Sequence, residues 1–289
     1  MASTSRDIKS PVRPGLGITT LLAPVTSFYA LFLILPYTYI LWLSFTRYSS
    51  TLLFEPTFTL ENYAAILTDT YYLSLLGKTI GLGLFVTIVT LLMGYPLAMK
   101  IVRSSPTVKA ILLILVMTPL LVNVVVRTYA WLVLLGDKGV INQSLIAIGL
   151  IDSPLPINRN FISVALGLIH LSLPLMVLSL VSIMQKLDHL LVEAGESLGA
   201  GPLRILVKLH FPLCLPGVGT GCLLVFCTVI SAFVTPQLLG GNQFSTISTV
   251  IYQKFTFTMN WPVGATLVFI LLALNFTVIL FHGYLFKER

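Results

Sequence analysis

Six stretches of this chain carry no Asp, Glu, Lys or Arg: residues 14–46, 79–99, 110–126, 160–185, 209–253 and 255–286. They constrain the fold more than any motif does, because a helix crossing the hydrocarbon core of a bilayer needs roughly 20 apolar residues, within about 17 to 25. Each supplies one crossing, the third being extended through Arg127 to Leu135. The fifth is too long for one span and turns polar at Gly240-Gly241-Asn242-Gln243, so its helix is expected to end near Thr235-Pro236 and give way to a loop. In lipid every backbone donor and acceptor must find an internal partner, which uninterrupted apolar runs achieve as helices. No β-barrel alternation is visible. The charge content agrees, with 9% of residues charged and 56% hydrophobic, against about 25% charged in soluble domains. The expected fold is an all-α membrane protein of six transmembrane helices.

Arg6, Lys9 and Arg13 precede the first apolar run as they would in a secretory signal. That run exceeds the about 7 to 15 apolar residues of a signal peptide, so it reads as the first span. Lys and Arg in the flanks orient the bundle. With the N-terminus inside, the cytoplasmic segments hold Arg6, Lys9, Arg13, Lys100, Arg103, Lys109, Lys186, Arg204, Lys208, Lys287 and Arg289, which is 11 of the 17 basic residues. The other six, Arg47, Lys78, Arg127, Lys138, Arg159 and Lys254, face outward or lie near outer helix ends. An N-in, C-in topology follows. The same distribution accounts for the net charge of +7 without nucleic acid, since the basic residues are spread over short loops and form no phosphate-tracking patch. Cys214, Cys222 and Cys227 all fall in the fifth helix at spacings that suit neither zinc nor a redox pair. They read as small apolar packing residues.

In order, a cytoplasmic tail (1–17) precedes one membrane domain (18–286) and a short cytoplasmic C-terminus (287–289). The helices are expected over about 18–46, 76–98, 110–135, 161–185, 213–236 and 261–286. The outer segment from Asp137 to Asn160 is mixed in polarity and suits either a re-entrant or a surface helix. Pro24, Pro36, Pro96, Pro119, Pro174, Pro216 and Pro236 each remove a helical hydrogen bond and invite a kink. Kinked helices suit a pathway opening alternately to each side, while proline is also common in membrane helices as a packing residue. Both readings stand.

The longest cytoplasmic loop, 186–212, is the most informative segment. Leu187, Leu190, Leu191, Ala194 and Leu198 recur at helical spacing and form an apolar stripe, with Lys186, Asp188, Glu193, Glu196 and Ser197 on other faces. Gly199, Gly201 and Pro202 stop that helix, and a second one, Leu203 to Leu209, leads back to the membrane. Helix, turn and helix make a compact knob suited to a groove on a partner. The competing reading is an amphipathic helix lying passively on the membrane surface.

Glu193-Ala194-Gly195, three residues, Gly199, nine residues, then Leu209-x-Phe211-Pro212 closely resembles the signature of ATP-binding-cassette (ABC) importer permeases: Glu-Ala-Ala, three residues, Gly, nine residues, Ile-x-Leu-Pro. Gly195 replaces the second Ala, and Leu209 and Phe211 are apolar substitutes. Further segments resemble the spermidine/putrescine-type branch: Phe58 to Tyr63, Gly94-Tyr95-Pro96-Leu97-Ala98, Val126-Arg127-Thr128-Tyr129-Ala130-Trp131, Pro236 to Gly241, and Asn260-Trp261-Pro262-Val263-Gly264-Ala265. The resemblance implies a type I ABC-importer permease fold in a bacterial inner membrane. It implies that the loop is a coupling helix docked on a cytoplasmic ATPase: Glu193 the polar contact, Ala194 and Gly195 the close-packing surface, Gly199 the turn, with Glu196, Leu209 and Pro212 in the same unit. The implied partners are a second permease subunit, two cytoplasmic ATP-binding subunits and a periplasmic or extracellular solute-binding protein. ATP and Mg would be held by the ATPase partners, with no cofactor in this chain. A polyamine is the first cargo implied; another small amine, a phosphonate or an iron complex is the alternative.

Gly77-Lys78-Thr79 imitates the end of a P-loop, but the motif needs Gly where this chain has Tyr72. Asn142-Gln143-Ser144 matches a glycosylation acceptor and is set aside as a common short pattern. His170 is either a proton-relay group or a hydrogen-bonded packing histidine, the latter favoured because no span offers it an acidic partner. Arg127 pins helix 3, forms a gate contact, or snorkels to the interface. A polyamine asks for carboxylates or aromatic faces; the spans offer Tyr129, Trp131, Phe226 and Phe233 but no Asp or Glu. A tight cationic site within the pathway is therefore not expected, and selectivity would rest with the binding protein. Glu55, Glu61, Asp69, Asp137 and Asp152, on the outer side, are candidates to dock it. An ion-coupled secondary carrier should show acidic or paired ionisable groups at mid-membrane, and a membrane enzyme a metal or nucleophile constellation. Neither pattern is present in the sequence.

Overall fold

The computed structural model describes residues 16–187, 190, 195, 197, 199–241 and 243–286. The first span consists of α1 (Leu16–Tyr29) and α2 (Leu35–Ser44), joined without interruption by a π turn at Ala30–Ile34. Pro36 lacks the N–H that the carbonyl four residues back requires, and its ring crowds that carbonyl. Widening the turn just before it lets the helix continue. The same device recurs at Leu206–His210 ahead of Pro212, where the Phe211 N–H donates to Leu206 O, five residues back. Most of the first span is exposed along its length, as apolar side chains facing lipid tails can be, until Leu43 and Ser44 become buried.

A small antiparallel hairpin that the sequence did not suggest follows: β1 (Arg47–Ser49) and β2 (Leu53–Glu55), with Tyr48 opposite Phe54. The Phe58 to Tyr63 run then folds back under the end of α2. Phe58 stacks on Phe45 with centroids 5.1 Å apart. Asn62, in α3 (Glu61–Thr68), donates from Nδ2 to Ser44 O at 3.2 Å and Thr46 O at 2.8 Å. Those bonds satisfy carbonyls that the end of a helix leaves open.

The second span, α4 (Thr70–Val102), is 33 residues long and starts before the expected position 76. Asp69 caps it, its carboxylate accepting the Tyr71 N–H at 2.8 Å. At about 1.5 Å per residue such a helix is roughly 50 Å long and outreaches the about 30 Å hydrocarbon core.

The third span departs most from expectation. Instead of one helix over 110–135 there are two, α5 (Pro106–Leu121) and α6 (Val124–Leu134), bent by 95°. Val122 and Asn123 take extended ψ values of 133° and 134°. Asn123 then starts a new helix as an N-cap, its side chain accepting the Val125 N–H at 2.8 Å. The mixed segment beyond contains a short helix, α7 (Val140–Ala147).

The fourth span, α8 (Phe161–Met184), matches its predicted limits and is opened by a capping box between Asn160 and Ser163. The fifth begins outside the expected limits: α9 (Pro202–Ile205), the π turn and α10 (Phe211–Ser231) form one unbroken rod. It ends at Ser231, short of Thr235-Pro236, because Ala232 adopts ψ 132° and leaves the helix. The expected loop after it holds two further helices with buried faces, α11 (Val234–Leu239) and α12 (Ile247–Thr256). The last span is α13 (Trp261–Leu285).

Among the described residues five continuous helices are long and apolar enough to cross a membrane, and six spans result where the bent pair counts as one. The core joins α4, α8 and α10 through Leu82, Val86, Met176, Leu180, Val225 and Val229. The α8–α10 seam is close enough for the Ser179 hydroxyl to donate to Gly217 O at 2.9 Å, and a Cβ on Gly217 would collide with Ile183. Helices continue through Pro96, Pro174 and Pro216. Of the prolines singled out, Pro36 follows a π turn, Pro119 precedes a break and Pro236 lies in the first turn of α11 just after the break at Ala232, while Pro24 sits within α1.

Candidate functional site

The described residues of the loop between α8 and α9 lie at one end of the bundle. Glu193, Ala194 and Glu196 lie outside the described residues. Gly195 and Ser197 are helical, and Gly199 follows at φ +75°. The Ala200 N–H donates to Gly195 O at 3.1 Å. A left-handed residue followed by a bond from its successor to the carbonyl five residues back is the Schellman helix stop. Gly201 O accepts the Ile205 N–H at 3.1 Å, opening α9 directly afterwards. The two arms meet where a Cβ on Gly195 would stand 3.6 Å from Ile205 Cγ1, and Ile205 is buried. Of the apolar stripe, Leu187 packs on the main core and Leu190 is 66% exposed, while Leu191, Ala194 and Leu198 lie outside the described residues. Leu209 is half-buried in the π turn, and Pro212 is exposed at the start of α10. Tyr95 of the Gly94-to-Ala98 run packs against Phe211, centroids 5.8 Å apart, which ties this end of the rod to α4.

The five proposed pathway residues do not gather in one place. Arg127 does not snorkel: it is 7% exposed and its guanidinium donates to Pro119 O, across the break between α5 and α6. A cation at the C-terminal end of a helix is where the open carbonyls and the helix dipole favour it. Arg127 therefore pins the bend. It lines an open cleft of about 430 Å³ with Thr118, Pro119 and His170. Trp131 Nε1 donates to His170 Nδ1 at 3.0 Å, the rings 5.7 Å apart. His170 is thus a hydrogen-bonded packing group, with Nδ1 as acceptor. Tyr129 is 52% exposed on another face of α6. Phe226 is buried against α4 beside Gly83, and Phe233 packs on Tyr252 at 4.7 Å.

Residues 90–288 match the family described as "Binding-protein-dependent transport system inner membrane component". The chain belongs to that family. It is an inner-membrane, multi-pass permease subunit of an ABC importer, a transport component and not the ATP-hydrolysing one. Among curated relatives, it is 33% identical over 84% of its length to the spermidine/putrescine transport system permease protein PotB of Haemophilus influenzae, covering 85% of that protein. It is 33% identical over 85% to PotB of Escherichia coli, covering 89% of it. The more distant YdcU, an Escherichia coli inner membrane ABC transporter permease protein, is 29% identical over 87% of the chain and 84% of its own length. In fold, the permease superimposes on a chain of a bacterial alginate ABC transporter crystallised with its alginate-bound periplasmic protein. The TM-score is 0.75 over 92% of both chains, at 14% identity. The type I permease fold is therefore established.

Several residues that organise the permease carried no readable signal. Asn142, dismissed as a glycosylation match, is fully buried, donates to Gly136 O and Leu155 O at 3.1 Å each, and accepts the Leu155 N–H at 2.9 Å. It fastens the segment between α6 and α8. The Ser163 hydroxyl donates to Leu239 O at 2.8 Å, and Thr79 Oγ1 accepts the Ile247 N–H at 3.1 Å. These tie α11 and α12 to α8 and α4. Each pairing joins distant positions, which spacing along one chain does not reveal. Of the acidic docking candidates, Glu61 pairs with Arg47 at 3.5 Å on the exposed surface and Asp69 caps α4.

Proposed function

We propose that this permease passes a polyamine, spermidine or putrescine, through a complex of two permease subunits, two cytoplasmic ATP-binding subunits and an outer solute-binding protein. The topology is N-in and C-in, so the loop between α8 and α9 faces the ATPases, which hold ATP and Mg. The cargo assignment is supported by the PotB relatives. The coupling role is carried by one observation: the Gly199 stop sets the loop against Ile205, at the head of a helical rod running unbroken from Pro202 to Ser231. Leu209 and Pro212 lie within that rod, so the motif resembling the coupling signature is continuous with the α10 wall of the core. Movement of the ATPases against Glu193 and the neighbouring Ala194 and Gly195 would shift α10 as a body, opening the pathway alternately to either side.

The composition of the spans suits passage better than capture. They contain no carboxylate, and Trp131 has its indole N–H committed to His170. Selectivity then rests with the binding protein, and the permease offers low-affinity contacts that release the cation readily.

The test is uptake of labelled spermidine into vesicles holding the assembled importer. The expected result is uptake that needs ATP and the binding protein, stops with vanadate and is competed by putrescine. ATP-dependent uptake of a phosphonate or iron complex with none of polyamine would overturn the cargo. Uptake by the permease alone, insensitive to vanadate, would overturn the mechanism in favour of a secondary carrier.

A further inference from the structure

Arg159 stands two residues before α8, at the end of the bundle opposite the coupling loop. It has φ +59°, in the left-handed region that residues with a Cβ rarely adopt. Asn158 Oδ1 holds the turn by accepting the Arg159 N–H at 2.8 Å. Its stem lies across Gly241, itself at φ +55°: a Cβ there would meet Arg159 Cβ at 3.1 Å, Cγ at 3.3 Å and Cδ at 3.4 Å. Two unusual backbone positions thus seat one arginine. The result is a cleft of about 470 Å³ lined by Leu132, Arg159, Gln237, Leu238, Gly241 and Gln243. Among the described residues the Arg159 side chain has no ion pair or hydrogen-bond partner, the one salt bridge being Arg47–Glu61.

We infer that this cleft seats an acidic side chain of the solute-binding protein, with Arg159 as the charged anchor and the Gln237 and Gln243 amides as further donors. The inference rests on the importer reading above. A planar guanidinium offers paired donors that match a carboxylate in two-point contact, and two amides beside it supply N–H groups for the remaining lone pairs. The cleft lies at the end of the molecule that, in the proposed topology, meets an outer partner. The family is defined by dependence on a binding protein, and the alginate transporter of the same fold was crystallised with a periplasmic protein. A snorkelling arginine would reach a lipid phosphate without any such seat. The Pro236 to Gly241 run gains a role from this: it supplies Gln237 and the glycine on which the arginine lies.

The experiment titrates the binding protein onto the full importer in vesicles of neutral lipid and follows ATP hydrolysis. Arg159→Glu is expected to raise the half-stimulating concentration about tenfold or more. Gly241→Val, which displaces the arginine without changing charge, should act in the same direction, and Arg159→Lys should be intermediate. Basal hydrolysis, which reports assembly, should stay at the wild-type level in all three. An unchanged half-stimulating concentration for Arg159→Glu would overturn the inference. So would a shift that appears only when anionic lipid is included, which would assign the cleft to a headgroup phosphate. No stimulation of the wild-type complex would overturn the importer reading, and this inference with it.

Discussion

Gly199 adopts φ +75° with nothing within 4 Å of where a Cβ would sit, so the demand on this residue is conformational and not steric. For an L-residue that region costs about 1–2 kcal/mol. Gly199→Ala is therefore expected to weaken ATP-coupled uptake, and Gly199→Asn to weaken it less, since asparagine tolerates the left-handed region. Equal losses for the two variants, measured as initial uptake rates, would contradict this. Gly195 calls for the opposite sign. It is helical, and its missing methyl would land 3.6 Å from Ile205 Cγ1, an ordinary contact. Gly195→Ala should therefore gain about 1 kcal/mol of helix propensity. Thermal unfolding of the solubilised importer should show an unchanged or raised Tm with uptake retained. A lowered Tm would mean that the two arms sit closer than they do here.

The bent third span shows what apolar runs reveal about elements and what they hide. The long membrane helices and the limits of α8 were legible because lipid forces long uncharged segments into helix. The break at Val122-Asn123 was not, because a single polar residue in a long run of Leu, Val and Ile lowers its mean hydropathy only slightly. Asn123 is a good N-cap, but the length needed for one crossing argued against starting a helix there. Ala232 ends α10 with no sequence mark at all, and α12 begins inside the uncharged interval 209–253 and runs past Lys254, across the boundary that the charge pattern suggested. The Trp131–His170 bond joins positions 39 residues apart, with nothing in either residue's neighbourhood to announce it. Arg127 was legible as an unusual cation but not as the clasp of a bend. Arg127→Met should cost about 1.5–3 kcal/mol locally, the range for hydrogen bonds to charged groups. Amide exchange should then accelerate across Val124–Leu134 while α8 keeps its protection. Unaltered exchange in α6 would show that Trp131 and the Thr128–Thr235 contact hold the bend without Arg127.

At the scale of the molecule, the core of α4, α8 and α10 is flanked at one end by the loop between α8 and α9, proposed to couple to the ATPases, and at the other by the Arg159 cleft. The π turn before Pro212 keeps the rod continuous where proline would otherwise interrupt it, so α9 and the α10 wall form one helical piece, as the proposed coupling requires. Glu193, the first residue of the motif, is the proposed polar contact to the ATPase, and reversing its charge tests the account most directly. With Glu193→Arg in the assembled importer, the permease should insert and assemble at wild-type amounts. ATP-driven uptake should fall to background, and ATP hydrolysis should no longer respond to the loaded binding protein. Wild-type uptake by a fully inserted Glu193→Arg importer would contradict the account.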